Sequence, residues 1–209
     1  MIKVSSLISL LEKNNSRFFT GVPDSVLKGL SSYLQNKDKK KHIIATNEGS
    51  AVSIGIGHYL STKKVPCVYM QNSGLSNALN PLISIAHKKV YSIPLILIIG
   101  WRGSPRIKDE PQHNVKGKIT EQILKLLNIK YTILRSNNDL NKFDKQIKNA
   151  KKNKSITACL IEQGTLEKNN KIIKRKDYYK LNKEFFLKTL LESLEKKTKI
   201  ISSTGYNSR

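Results

Sequence analysis

The segment Pro94-Leu-Ile-Leu-Ile-Ile-Gly100 constrains this chain more than any other. It is apolar throughout, with no polar residue at alternate positions. A strand of that kind has no face to offer water, so it belongs in the middle of a parallel sheet covered by helices on both sides. The longest apolar run, Ile93 to Ile99, contains a proline and is far too short to cross a membrane as a helix.

The flanking sequence alternates helical and strand-like patterns. Val4 to Leu11 has helical spacing, and Arg17 to Thr20 is a short strand ending in the turn Gly21-Val-Pro-Asp24. Asp24 or Ser25 can cap a helix through Leu27, Leu30 and Leu34. His42 to Ala45 is a strand, and 49–61 a helix rich in Gly, Ala and Ser. Val65 to Met70 is a strand whose turn, Gln71 to Gly74, opens a helix reaching His87. After the apolar strand comes a polar loop, Trp101 to Asn114. A helix over about 117–127, a strand at 131–134, a helix over about 139–152 and a strand at 155–161 follow. This is βαβ repetition, which predicts an α/β fold: a doubly wound parallel sheet with helices on both faces. Gln163 to Tyr179 is polar, basic and aperiodic, and reads as a linker. Leu181 to Lys196 predicts an amphipathic helix, and Lys199 to Thr204 another strand. The expected division is therefore a domain over 1–165, a linker over 166–180 and the start of a second, incomplete domain over 181–209.

Composition narrows the class. The two cysteines, Cys67 and Cys159, lie far apart in apolar runs, as reduced core residues of a cytoplasmic protein would. The N-terminus lacks the features of a signal peptide. Net charge is +23. Residues 1–100 hold 12 basic and 4 acidic residues and 101–209 hold 26 and 11, so the excess is spread along the whole chain. It is mostly lysine interleaved with asparagine, without the clustered arginine and stacking aromatics of a dedicated nucleic-acid binder. The reading adopted is a solvated basic surface that helps draw in anions. A basic α/β module binding nucleic acid is the competing class, carried by charge alone.

Candidate chemistry collects where strands end. Glu48 is a single carboxylate between a strand end and a helix start, and in open α/β sheets ligands bind beyond the carboxyl ends of the strands. Gly21 to Asp24, Asn72-Ser73-Gly74 and the loop holding Trp101, Arg102, Arg106, Gln112 and His113 complete the set. Each has an ordinary alternative: a first-turn acid for Glu48, an N-cap for Asp24, a plain turn at Asn72, a surface histidine at 113. His42, His58 and His87 receive no role. No glycine-rich dinucleotide fingerprint or Walker sequence is present, and no Cys/His spacing suggests zinc.

Taken together, Phe18-Phe-Thr-Gly-Val-Pro-Asp-Ser25, Asn47-Glu-Gly49, Val68-Tyr-Met-Gln-Asn-Ser-Gly-Leu75, Asn80-Pro-Leu82, Ile99-Gly-Trp-Arg-Gly103 and Asp109-Glu-Pro-Gln-His113 resemble one family. They are similar to the N-terminal, pyrimidine-binding half of the phosphonopyruvate decarboxylases. These are thiamine diphosphate-dependent 2-oxo acid decarboxylases, and the related sulfopyruvate decarboxylases share much of the pattern. The resemblance covers about residues 1–165, and Ser203 to Arg209 resembles the opening of the family's second domain.

The resemblance implies decarboxylation of 3-phosphonopyruvate to phosphonoacetaldehyde, a step of phosphonate biosynthesis, or the same reaction on 3-sulfopyruvate. Glu48 matches the glutamate that hydrogen-bonds N1′ of the cofactor's aminopyrimidine. Asp24 and His113 match residues assigned to proton transfer and product release. Asn72, Ser73 and Gly74 would line the cofactor side. Arg102, with Gln112 and Arg106, would meet the anionic tail of the substrate. Ser104 stands where the family pattern has glutamate, and Lys116 where it has glutamine. Such enzymes hold the diphosphate through Mg²⁺ with a Gly-Asp-Gly motif, which this sequence lacks, so no metal ligand is expected here. The expected partner is a diphosphate-binding domain, either in a homo-oligomer of a longer chain, which the second-domain-like ending favours, or as a separate subunit.

Overall fold

The structure is a computed structural model that describes residues 1–167 and 181–202. The chain divides into two compact units, 1–170 and 171–209.

In the first unit the elements run α1 (Val4–Lys13), β1 (Phe19–Gly21), α2 (Lys28–Leu34), β2 (His42–Ile44), α3 (Glu48–Thr62) and β3 (Cys67–Gln71). A 3₁₀ turn, Asn72–Gly74, leads into α4 (Leu75–Pro81), which continues as a π-helical turn, Leu82–Ala86. Then come β4 (Ile96–Trp101), α5 (Pro111–Leu126), β5 (Lys130–Leu134), α6 (Asn137–Lys152) and β6 (Thr157–Glu162). The six strands form one sheet in the order β2-β1-β3-β4-β6-β5, and every pairing is parallel. The expected doubly wound architecture is what the chain adopts.

Alternation within the central strands shows how both faces are covered. Cys67, Tyr69, Ile96, Ile98, Cys159 and Ile161 join the core formed with α1, α2 and α6. Their neighbours Val68, Met70, Leu97, Ile99, Ala158 and Leu160 join the opposite core, with α3, α4 and α5. This is why β4 is apolar at every position: all six of its residues are buried. The helices present matching stripes. Val4, Leu7, Ile8 and Leu11 are the buried residues of α1, and Leu140, Phe143, Ile147 and Ala150 those of α6. A capping box between Ser136 and Asp139 fixes the start of α6. Cys67 and Cys159 are free and buried.

Three details differ from the sequence expectations. First, α5 begins at Pro111, not near 117, so Gln112 and His113 lie in its first turn and the preceding loop is shorter. Proline at the first helical position has no N–H to lose, which makes it a good starter. Second, Thr165 and Leu166 are buried, and Leu166 bridges Ile2 in parallel, tying the segment after β6 to the N-terminus. Third, residues 199–202 form no strand, since no partner strand among the described residues satisfies their backbone. The remainder of the expected strand and of the linker, with the segment 203–209, lies outside the described residues. In the second unit α7 (Lys183–Ser193) forms where a helix was expected, capped by Asn182, whose side chain accepts a hydrogen bond from the Phe185 N–H at 2.8 Å. Among the described residues, no helix is long and apolar enough to cross a membrane.

Candidate active site at the carboxyl ends of the strands

The chain leaves β1 outward to β2, then crosses back to place β3 on the other side of β1. Such a reversal opens a crevice at the carboxyl ends of the strands. The ends of β1, β3 and β4 and the start of α3 all deliver polar side chains to this edge.

Asp24 follows β1. Its Oδ2 accepts hydrogen bonds from the backbone N–H groups of Val26 at 3.0 Å and Leu27 at 3.2 Å, which turns the chain towards α2. The helix itself starts later than expected, at Lys28 with Leu27 as its N-cap and no side-chain cap, so Asp24 fixes the turn ahead of the helix and does so through one oxygen. Oδ1 is buried and has no partner. The carboxyl is nine-tenths covered, and desolvation raises its pKa above the usual range despite opposing backbone N–H groups and the nearby Arg102. A carboxyl in that state holds a proton more readily than an exposed one. Gly100 at the end of β4 makes room for it, since a Cβ there would fall 2.2 Å from Oδ2.

Asn72 occupies the turn after β3 and is 4% exposed. Its Nδ2 donates to the Arg102 carbonyl and to Thr120 Oγ1, both at 2.9 Å, and its Oδ1 accepts from the Arg102 N–H at 3.1 Å. Both its amide hydrogens are engaged, so Asn72 braces the β4 exit. Ser73 Oγ accepts from Gln71 Nε2 at 2.7 Å.

The loop after β4 is closed by Arg102 and Asp109. Arg102 Nε and Nη2 donate to the two Asp109 oxygens at 2.7 and 2.5 Å, and Nη1 donates to Ser25 Oγ at 3.2 Å. Asp109 also accepts from the Gly103 N–H at 2.8 Å. The guanidinium holds the Asp109 carboxyl well below the usual carboxylate range. Gly103 has φ +66° and sits against α5: a Cβ there would lie 2.1 Å from the His113 carbonyl oxygen, and one on Gly117 would lie 1.7 Å from the Gly103 oxygen. Trp101 Nε1 donates to the Gly117 carbonyl at 2.9 Å, locking the same approach. His113 is half-buried at the start of α5, whereas Arg106 and Gln112 are exposed. Ser104 Oγ donates to the buried Glu162 at 2.9 Å, and Arg135 pairs with the other Glu162 oxygen at 3.3 Å.

Glu48 is the first residue of α3, after Asn47, whose side chain caps the helix by accepting from the Ser50 N–H at 2.8 Å. The half-exposed carboxylate lies over Gly74, where a Cβ would be 2.3 Å from Glu48 Cγ and 2.4 Å from Cδ and Oε1. Asn77 Nδ2 donates to Glu48 Oε2 at 3.0 Å. Oε1 accepts no hydrogen bond from any described residue. The 72–74 turn therefore touches both halves of the site: Asn72 grips the Arg102 loop while Gly74 underlies Glu48. The sequence reading missed Asn77, Asp109 and Ser25 as individual contributors, although Asp109 and Ser25 fall within its motifs.

An anchored carboxylate whose second oxygen has no donor among the described residues retains an acceptor for a ligand's N–H or O–H. Among the described residues, no group of three or more His, Cys, Asp or Glu side chains could hold a metal ion.

Known proteins resemble this chain in sequence and fold. The family described as thiamine pyrophosphate enzyme, N-terminal TPP binding domain, matches residues 4–124. The chain is 34% identical over 139 residues to a phosphonopyruvate decarboxylase of Streptomyces viridochromogenes, covering 66% of this chain and 34% of that protein. It is 36% identical over 114 residues to the sulfopyruvate decarboxylase subunit alpha of Methanococcus maripaludis, covering 54% of this chain and 66% of that subunit. The fold is similar to the benzoylformate decarboxylase of Polynucleobacter necessarius, with TM-score 0.59, 20% identity, and 77% of this chain and 30% of that one covered. The chain thus spans about a third of the phosphonopyruvate decarboxylase it matches. It belongs to the thiamine pyrophosphate enzymes, whose N-terminal TPP-binding domain its first unit forms.

Proposed function

We propose that this chain supplies the pyrimidine-activating half of a thiamine diphosphate-dependent decarboxylase that converts 3-phosphonopyruvate to phosphonoacetaldehyde and carbon dioxide. The observation that carries this is Glu48 at the carboxyl edge of the sheet, anchored through Oε2 while Oε1, resting over Gly74, accepts no hydrogen bond from any described residue. The cofactor, when bound, supplies the electron sink that lets carbon dioxide leave.

This chain's residues orient and move protons around it. Glu48 Oε1 would accept the hydrogen bond from N1′ of the aminopyrimidine, at a helix N-terminus that favours negative charge. Asp24, kept protonated more readily by burial, gives up a proton at Oδ1, the oxygen without a protein partner. His113 serves product release from the first turn of α5. Arg102 spends Nε and one Nη2 hydrogen on Asp109 and one Nη1 hydrogen on Ser25. One hydrogen on each terminal nitrogen remains as a donor for phosphonate oxygens. Arg106 and Gln112, both exposed, would be free to meet the anionic tail of the substrate. The diphosphate and Mg²⁺ would be held by a diphosphate-binding domain of another subunit or chain, which would complete the site.

A second reading has direct support: the similarity to sulfopyruvate decarboxylase alpha subunits, which this chain matches over more of their length. It makes the substrate 3-sulfopyruvate and the partner a separate subunit. The test is carbon dioxide release from each acid after the chain is combined with a diphosphate-binding half, Mg²⁺ and thiamine diphosphate. A larger kcat/KM for phosphonopyruvate supports the first reading and the reverse supports the second. No release from either acid refutes both.

A further inference from the structure

Glu48 needs more than a place on the sheet edge. A glutamate has three side-chain torsions, and a half-exposed one samples several rotamers unless something fixes it. Two neighbours, on the turn after β3 and on α4, supply that restraint. Gly74 presents a bare backbone against the Glu48 Cγ, Cδ and Oε1. Asn77, one helical turn further on, donates Nδ2 to Oε2 at 3.0 Å. The two helices are held at this spacing by a close backbone approach: a Cβ on Gly49 would fall 2.9 Å from the Asn77 carbonyl oxygen and 3.3 Å from Asn47 Oδ1. The Asn47 cap on Ser50 fixes the start of α3 on the other side. The amide that reaches Glu48 is therefore itself carried by a fixed backbone.

We infer that Asn77 is a positioning residue: its amide holds Glu48 Oε2 so that Oε1 is presented in one orientation to the cofactor's pyrimidine. An amide suits this task better than a lysine would. It donates a directional hydrogen bond without neutralising the carboxylate, so Oε1 keeps its full capacity as acceptor. A carboxylate at position 77 would repel Glu48, and an apolar side chain of the same size would leave Oε2 without its donor. Asn77 is exposed, so water competes for Oε2 in its absence, and what is lost is orientation. A displacement of the order of 1 Å in a reacting group costs about 100-fold in rate.

This inference rests on the functional reading above, and the experiment separates the two. Asn77→Leu, of similar size, and Asn77→Asp are compared with Glu48→Gln. The first readout needs no cofactor: side-chain carbon relaxation and couplings of Glu48 in the full chain. One dominant rotamer is expected in the wild type and averaging in both Asn77 variants. The second readout is kcat in the assembled enzyme, expected to fall about 10–100-fold in both variants with the melting temperature little changed. A single Glu48 rotamer retained in Asn77→Leu and Asn77→Asp overturns the positioning role, whatever happens to turnover. If Glu48→Gln retains full turnover, the functional reading fails, while the rotamer result still decides whether Asn77 orients Glu48.

Discussion

Replacing Gly74 by alanine separates the stability of this fold from its chemistry. Gly74 has φ −75° and ψ −11°, an ordinary helical conformation that alanine adopts without strain. The backbone change alone is worth about 0.5–1 kcal/mol in favour of alanine, because the unfolded chain has less freedom to lose. The new methyl group, however, would lie 2.3 Å from Glu48 Cγ and 2.4 Å from Cδ and Oε1. Carbon atoms settle at roughly 3.5–4.0 Å, so the Glu48 side chain must retreat by about 1 Å or more. Glu48 has three side-chain torsions and is half-exposed, so it can move to another rotamer without disturbing the core. The expected outcome of Gly74→Ala is a melting temperature unchanged or raised, with turnover lower by about 100-fold, a loss of roughly 2.7 kcal/mol of transition-state stabilisation. Thermal melting of the chain and turnover of the assembled enzyme measure the two effects. Wild-type turnover in Gly74→Ala would refute the claim that Glu48 works from this position. A loss of stability above about 2 kcal/mol would show that the methyl group meets something less yielding than one side chain.

Further outcomes follow from the same network. Asp24 has its folded pKa raised by burial, so its contribution to stability is fully present below the unfolded value and is lost as pH rises through the folded one. Asp24→Asn should therefore gain stability relative to wild type as pH rises above about 4, read by denaturant unfolding at a series of pH values; a difference independent of pH contradicts it. Asp109 has its pKa depressed by Arg102, so the pair stabilises the loop above the unfolded carboxylate range and weakens as pH falls below it. Asp109→Asn should cost about 1–3 kcal/mol at pH 7 and increase proteolysis within 102–110, whereas an unchanged cleavage pattern would show that the pair does not hold the loop.

The architecture was readable because its strongest signals are local. An apolar run without alternation can only be an inner strand, and the 3.6-residue stripe of α6 and its capping box lie in consecutive sequence. The start of α5 was hidden for a physical reason. Gln112, Asn114, Val115 and Lys116 are exposed, so the first turn carries no apolar stripe, and only Gly117, Thr120 and Leu124 mark the buried face. Partnerships were harder still. The Asn77–Glu48 bond joins residues 29 apart, and depends on α4 packing beside the start of α3. Asn72 has a side chain suited to a ligand, and its engagement with Arg102 and Thr120 emerges only when β3 and β4 lie side by side. The strand expected beyond α7 needed a partner strand that the sequence pattern could not supply.

The most direct test of the central claim is the exchange of the C2 proton of thiamine diphosphate with solvent, measured by NMR in the assembled enzyme before substrate is added. If Glu48 activates the pyrimidine, the wild type exchanges this proton much faster than free cofactor, and Glu48→Gln slows it by about 100-fold or more with cofactor still bound. Equal exchange rates in wild type and Glu48→Gln would contradict the account.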